Sequence, residues 1–473
     1  MTSPPRGTAD NGFAGIESGD PREAFGLSWP APLFPYQKTG VERLLVEPCV
    51  LLADEMGLGK TVQAIAAVRL LAQRGAIRQA IIVCPAGLIL QWRRHIRDWA
   101  PDLALSTVMG TPEQRAVAWT TNATVYVTGY ESLQSDLALP SPGAPMEREW
   151  DVAVIDEAQR IKNPHADVTM AVKRLRRVRS WALTGTPLEN RLDDLISILD
   201  FVAPGRFDPA GMAFGLRRVL DSVQLRRRRR DVLRDLPAKR VSTVTLDLAD
   251  AQRRAYRRAE EEGIVRLRAL GQDVLITHVL ELILRLKQIC NFCPESDSSA
   301  KLHDLRARLG AVVAAGEKAL VFSQFVKEPF GARRLGRELA AFAPILLTGD
   351  LDARTRAARV AEFARDPSRG VMILSLRAGA IGLNLTPASH VFHFDRWWNP
   401  ALETQAENRV HRIGQNRPVQ VQAYLSADTI EERIDTILTQ KRALFADVID
   451  GVNTEALRRL DLDTLLRAVQ VRQ

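Results

Sequence analysis

Asp54-Glu55-Met56-Gly57-Leu58-Gly59-Lys60-Thr61, placed directly after the apolar run Val50-Leu51-Leu52-Ala53, decides the fold of this chain. A buried strand opens into a glycine-rich loop, and Val62-Gln63-Ala64-Ile65 continues as a helix, which is the layout of a phosphate-binding loop. The glycines let backbone N–H groups curl around a β-phosphate, Lys60 reaches the β and γ oxygens, and Thr61 offers a hydroxyl to Mg²⁺. The reading implies a nucleoside triphosphate held by Met56, Gly57, Leu58, Gly59, Lys60 and Thr61. Asp54 stands where the general pattern begins with glycine.

Working outward, β-rich runs alternate with helical stretches at Ala80-Ile81-Ile82-Val83, Thr124-Val125-Tyr126-Val127, Val152-Ala153-Val154-Ile155 and Trp181-Ala182-Leu183. That alternation predicts a parallel sheet with crossover helices. A second series follows at Lys318 to Phe322, Ile345 to Leu347, Val371 to Leu374, His390 to Phe394 and Val419 to Tyr424. The expected fold is therefore α/β with two parallel-sheet lobes joined by a helical connector. The divisions expected from composition are a disordered tail over 1–26, a first lobe over 27–215, a helical region over 216–310 and a second lobe with C-terminal helices over 311–473.

The chain has 473 residues, a net charge of +9 and a pI near 9.6. Arginines cluster at Arg174 to Arg179, Arg217-Arg218, Arg226 to Arg230 and Arg253 to Arg258. Any single cluster reads equally well as a solvated helix face; their sum favours a polyanionic partner. No run of eighteen apolar residues and no apolar signal core is present, so a cytoplasmic protein without membrane attachment is expected. Four cysteines are too few for a disulfide framework at this length. Cys290-x-x-Cys293 has no second ligand pair, which argues against zinc.

Two further constellations carry chemistry. Val152 to Ile155 ends in Asp156-Glu157, an apolar strand delivering two carboxylates where open α/β sheets place ligands. Asp156 suits Mg²⁺ and Glu157 the orientation and deprotonation of an attacking water. In Gln405-Ala406-Glu407-Asn408-Arg409-Val410-His411-Arg412 the two arginines lie three residues apart, on one helix face. From there Arg409 and Arg412 can reach the γ-phosphate when the lobes close.

In their order, these motifs resemble the Swi/Snf-type ATPases of helicase superfamily two, over roughly Phe34 to Arg442. Phe34-Pro35-Tyr36-Gln37 resembles the adenine-reading element, with Gln37 as the reader. Cys84-Pro85 through Gln91-Trp92 resembles a segment lying along a nucleic-acid strand. Asp156 to Pro164 is similar to the bacterial form, with Gln159 where other members carry histidine, and Leu183-Thr184-Gly185-Thr186-Pro187-Leu188-Glu189-Asn190 resembles the element coupling nucleotide state to lobe movement. Leu225 to Val232 with Leu236-Pro237-Ala238-Lys239 resembles the signature closing the first half, and Leu284 to Asn291 the linker helix. Val321-Phe322-Ser323-Gln324-Phe325, Leu374 to Leu385, Asp395-Arg396-Trp397-Trp398-Asn399-Pro400 and Gln405 to Gln415 complete the set; Ala380 replaces the usual glycine.

The resemblance implies two RecA-like lobes, ATP and Mg²⁺ as cofactors, and Lys60, Asp156, Glu157, Gln405, Arg409 and Arg412 as the catalytic set. Gly382 joins the nucleotide-binding residues. It also implies backbone-gripping contacts to double-stranded DNA from Pro85, Trp92, Ser323, Gln324, Ser375, Arg377 and Gly379, with little sequence specificity. Trp92, Trp397 and Trp398 beside basic residues suit either base stacking or core packing. The expected function is a DNA-dependent ATPase that translocates on duplex DNA and displaces bound protein without separating strands, targeted by a protein partner. Two alternatives stay open: an RNA- or single-strand-dependent helicase of the same superfamily, and an ATP-switched DNA-binding subunit of a larger complex.

Overall fold

The computed structural model describes residues 20, 22–137, 145–185, 192–206, 212–233, 236–375, 385–397, 400–412, 414–437 and 439. A short antiparallel hairpin, β1 (Glu23–Ala24) and β2 (Leu27–Ser28), comes first. Its Ala24 carbonyl accepts the Trp29 indole N–H at 3.0 Å, and Ala24 and Trp29 are buried against the first core. The tail expected to reach residue 26 therefore stops short of this hairpin.

Seven parallel strands build the first lobe: β3 (Cys49–Leu52), β4 (Ala80–Cys84), β5 (Leu105–Val108), β6 (Val125–Gly129), β7 (Trp150–Asp156), β8 (Arg177–Leu183) and β9 (Gln224–Leu225). Their order is β5-β6-β4-β7-β8-β3-β9. Successive side chains point to opposite faces, so Val50, Ile82, Val154 and Leu183 fill one core while Leu51, Ile81, Val83 and Ile155 fill the other. Covered on both faces, the central strands read as unbroken apolar runs.

The second lobe repeats the plan with six parallel strands in the order β10-β15-β14-β11-β13-β12. They are β10 (Lys239–Leu246), β11 (Ala319–Ser323), β12 (Ile345–Leu347), β13 (Val371–Ser375), β14 (His390–His393) and β15 (Val419–Ser426). Both lobes are α/β, as the alternation predicted.

Strand pairing redraws the expected divisions. β9 lies inside the stretch expected to be helical, yet it pairs with β3 and completes the first sheet. β10 lies there too, and pairs along its whole length with β15 as the edge of the second sheet. Helical there are the end of Met212–Val223, the short Arg229–Val232, and the pair Asp250–Leu270 and Ile276–Asn291, which share a core with Ile430 and Ile434 and are followed by the helix Ala300–Ala314 under the second sheet. Cys290 and Cys293 are buried in that helical core. The chain between β9 and β10 is thus the hinge between lobes.

Candidate active site at the lobe interface

β3 ends at the phosphate loop, β7 at Asp156 and β8 just before Thr184, so three parallel strands converge their C-terminal ends on one place. Gly57 (φ 89°) and Gly59 (φ 74°) adopt the left-handed conformation that lets the loop turn tightly into the helix Lys60–Gln73. A Cβ on Gly59 would lie 2.4 Å from the Gln37 amide nitrogen. That amide sits at the loop: Gln37 Nε2 donates to the Leu58 carbonyl at 3.3 Å while its Oε1 accepts from Phe34 N at 3.1 Å.

Lys60 Nζ donates to the Asp54 carbonyl at 2.6 Å. Burial lowers the Lys60 pKa, opposed by the charges of Glu157, Asp54 and Asp156. Asp156 is pushed up to about 6, first by burial and then by the adjacent Glu157 charge. Its Oδ2 accepts the Trp92 indole N–H at 2.8 Å, its Oδ1 the Glu157 backbone N–H at 2.9 Å, and its carbonyl the Tyr130 hydroxyl at 2.7 Å. Glu157 holds φ 52°, an uncommon conformation for a residue with a side chain, which turns its carboxylate out of the strand.

The second lobe supplies the other half. Gln405 Nε2 donates to Glu157 Oε1 at 3.2 Å, across the lobe boundary. Gln159 Nε2 takes the other oxygen, Oε2, at 2.7 Å, and Gln159 Oε1 accepts the Thr184 hydroxyl at 3.0 Å. Four side chains therefore run in series from the second lobe to the end of β8. Arg409 is half-buried, with its Nε enclosed; the loss of solvent lowers its pKa and the Glu157 and Asp156 carboxylates oppose that. Arg412 is lowered to about 10, by burial first and then by Arg409. Its Cβ lies 3.4 Å from where a Gly57 side chain would begin, so the second lobe abuts the phosphate loop itself.

Lys60 and Arg409 thus face two carboxylates, Asp156 and Glu157, and Arg412 adds a third cation beside Arg409. The surplus positive charge and the open backbone of the loop suit a polyphosphate. A divalent ion fits as well, since burial and the neighbouring Glu157 charge both raise the Asp156 pKa and a cation there would relieve both, with Thr61 in the first turn of the helix that follows the loop.

Residues 36–294 match the SNF2-related domain family, and residues 300–414 match the helicase conserved C-terminal domain. The chain belongs to the Swi/Snf family of superfamily-two ATPases. It is 33% identical to the putative ATP-dependent helicase/translocase YwqA of Bacillus subtilis, over 92% of this chain and 50% of that protein. To the Zorya protein ZorD of Escherichia coli it is 30% identical, over 88% of this chain and 44% of that protein. A Sulfolobus solfataricus SWI2/SNF2 ATPase core solved in complex with dsDNA is 30% identical, covering 94% of this chain and 98% of that one, with a TM-score of 0.42. The chain spans half or less of the length of these two curated relatives.

Within this Swi/Snf chain the residues expected on nucleic acid are placed unevenly. Trp92, expected along a strand, is 1% exposed: Ile89, Trp92 and Ile96 share the inward face of the helix Ile89–Trp99, and the indole N–H serves Asp156. Pro85 follows directly on β4 and is half-buried. Ser323 and Ser375 are register partners at the ends of β11 and β13, both buried. The Ser323 hydroxyl donates to Asp395 at 2.6 Å, and Gln324 reaches the same carboxylate through its backbone N–H at 2.8 Å. Ser323 is therefore engaged inside the lobe instead of pointing outward. Arg377, Gly379, Ala380, Gly382, Trp398 and the stretch Thr186 to Asn190 lie outside the described residues.

Sequence reasoning missed what the arginine run does. Arg227 Nε donates to Asp54 Oδ1 at 2.9 Å and its Nη2 reaches Asp54 Oδ2 at 2.5 Å and Gln63 Oε1 at 2.8 Å. The acidic first residue of the phosphate loop is the buried partner of an arginine 173 positions away. The pairing of an atypical Asp54 with an unexplained arginine cluster was the available signal.

Proposed function

We propose that this chain hydrolyses ATP at the lobe interface and uses the cycle to translocate along double-stranded DNA, displacing or remodelling bound protein without separating the strands. The observation that carries the reading is the contact of Gln405 with Glu157, with the half-buried Arg409 in the field of the same carboxylate: the group we assign to orient water in one lobe is completed by residues of the other. Lys60 and the loop amides bind the phosphates, Glu157 orients and deprotonates water, and Arg409 and Arg412 stabilise charge in the transition state. Thr61 and Asp156 would hold Mg²⁺, whose chemistry is to neutralise phosphate oxygens.

Because half the site comes from each lobe, occupancy and closure are linked, which is how turnover drives alternating grips on a track. Duplex DNA as the track is supported by the net charge of +9 and by relatives named as a helicase/translocase and as chromatin-remodelling proteins. A protein partner supplies targeting, a reading supported by the likeness to ZorD, a protein named for its system. No helix among the described residues is long and apolar enough to cross a membrane, and we place the protein in the cytoplasm, on the nucleoid.

The test is ATP turnover with duplex DNA, single strands and RNA, at several salt concentrations. Turnover should rise most with duplex of any sequence and fall as salt rises, because phosphate contacts release counterions and carry no base information. A triplex-forming third strand should be displaced with ATP while a forked duplex stays paired. Better stimulation by RNA, or efficient opening of forks with the triplex intact, would overturn the duplex-translocase reading.

A further inference from the structure

Arg229 sits in the hinge, between β9 and β10, in the short helix Arg229–Val232, and is 6% exposed. On its first-lobe side it grips Glu55 of the phosphate loop: its backbone N–H donates to Oε2 at 2.8 Å and its Nε to Oε1 at 2.9 Å. On its second-lobe side the same guanidinium forks. Nη2 donates to Asn408 Oδ1, and Nη1 donates to the His411 carbonyl and lies 3.3 Å from His411 Nδ1. Asn408 immediately precedes Arg409 and His411 immediately precedes Arg412.

The hinge holds His411 from a second direction. His411 Nε2 lies 2.7 Å from the Pro237 carbonyl, which fixes the proton on Nε2 and leaves Nδ1 to accept from Arg229. Lys239, two residues on, donates to Glu407. Arg229 and Pro237 of the hinge and Lys239 at the start of β10 therefore grip the segment that carries both arginines, and of these three Arg229 also grips the phosphate loop.

We propose that Arg229 is a positioning residue that sets Arg409 and Arg412 at working distance from the phosphate loop, by holding Asn408 and His411 with Nη2 and Nη1 and Glu55 with its backbone N–H, Nε and the shared Nη2. This rests on the hydrolase reading above. A planar guanidinium suits the task, because it presents several donors in fixed directions, where an ammonium offers a point charge on a flexible stem. Misplacement of about 1 Å at a reacting group costs on the order of 10²-fold in rate. Removing the fork should therefore act on turnover and spare nucleotide binding.

The experiment measures kcat, KM and the Kd of a fluorescent ATP analogue for Arg229→Ala, Arg229→Lys, Arg412→Ala and the double variant Arg229→Ala/Arg412→Ala. Arg229→Ala should lose about 10²-fold in kcat with analogue affinity within about threefold of wild type, and Arg229→Lys should not restore it. Residues acting as one unit are not additive, so Arg229→Ala on the Arg412→Ala background should cost less than about tenfold more. A further loss of tenfold or more, full rescue by lysine, or the same loss in the exposed neighbour Arg230→Ala would overturn the proposal. Hydrogen exchange in the absence of nucleotide gives a readout that needs no turnover: amides 408–412 should exchange at least about tenfold faster in Arg229→Ala, with the strands of both sheets unchanged. If wild-type protein turns over no ATP, the hydrolase reading fails and exchange alone decides, unchanged rates overturning the positioning role. Should Arg229→Ala not fold, Asn408→Ala keeps the arginine and its first-lobe anchor and repeats both measurements.

Discussion

Arg227→Ala should destabilise the first lobe by about 3–4 kcal/mol at neutral pH, and the size of that effect follows from what is left around Asp54. The Asp54 carboxylate is fully buried and accepts Arg227 Nε at 2.9 Å, Arg227 Nη2 at 2.5 Å, Arg227 N at 3.1 Å and Gln63 Nε2 at 3.2 Å. Truncation removes both charge-assisted bonds, worth roughly 1.5–3 kcal/mol each, and leaves a buried carboxylate with two neutral donors. Loss of one partner of a buried ion pair strands the other charge without its counter-ion, which costs more than the pair itself contributes. Urea melts read through tryptophan fluorescence suit the measurement, since Trp92, Trp119, Trp150 and Trp181 are all buried in the first lobe. A deficit below about 1 kcal/mol, the range of a solvated surface pair, would refute the reasoning. Nucleotide affinity should fall in the same variant, because Lys60 hangs from the Asp54 carbonyl.

Lys60→Ala and Glu157→Gln should each lower ATP turnover by on the order of 10²–10³ with unchanged circular dichroism; turnover within about threefold of wild type in both would place the chemistry elsewhere. In Gly185→Ala the new Cβ meets Met56 Cγ at 2.3 Å, so the Met56 side chain must move on the phosphate loop and ATP affinity should drop; Met56→Ala in the same chain should restore it, and failure to do so would show that the contact is not the cause. Burial pushes the Glu407 carboxyl up, but contacts with His393 and Lys239 outweigh it and leave it lowered to about 2. Its stabilising contribution is therefore present above pH about 4.3, the ordinary glutamate value, and lost as pH falls toward 2; Glu407→Gln should flatten acid unfolding of the second lobe in that window.

Local patterns were legible in the sequence. The phosphate loop, the carboxylate pair after an apolar strand and the arginines three apart each declare themselves within about ten residues, and the structure brings all three together, but the helix Pro400–Glu407 ends before Arg409 and Arg412, which sit in the turn beyond it and not on the shared helix face their spacing predicted. The central strands were legible for the same reason, being continuous apolar runs. β5 was not, because Leu105-Ser106-Thr107-Val108 is an edge strand with two hydroxyl side chains. β10 was hidden by its exposure, with Arg240, Val241, Ser242 and Thr243 facing outward on the edge of the second sheet. The hinge arginines were legible as a signature but not as contacts. Arg227 and Arg229 meet partners more than 170 residues away, and only the pairing of β9 with β3 brings them there. Trp92 carries its answer in its spacing, since Ile89 and Ile96 three before and four after put it on an apolar helix face.

Gln159 has a consequence of its own. A histidine in that place would change charge between pH 5 and 8, and with it the bond it offers to the carboxylate. An amide never does. It has one donating and one accepting end, and here the donating end meets Glu157 while the accepting end meets Thr184. Turning it over would set oxygen against oxygen at Glu157, so the link has a single polarity. News of what happens at the Glu157 carboxylate thus reaches the end of β8 through a wire whose amide is insulated from the acidity around it, and a Gln159→His exchange would make that wire respond to protons.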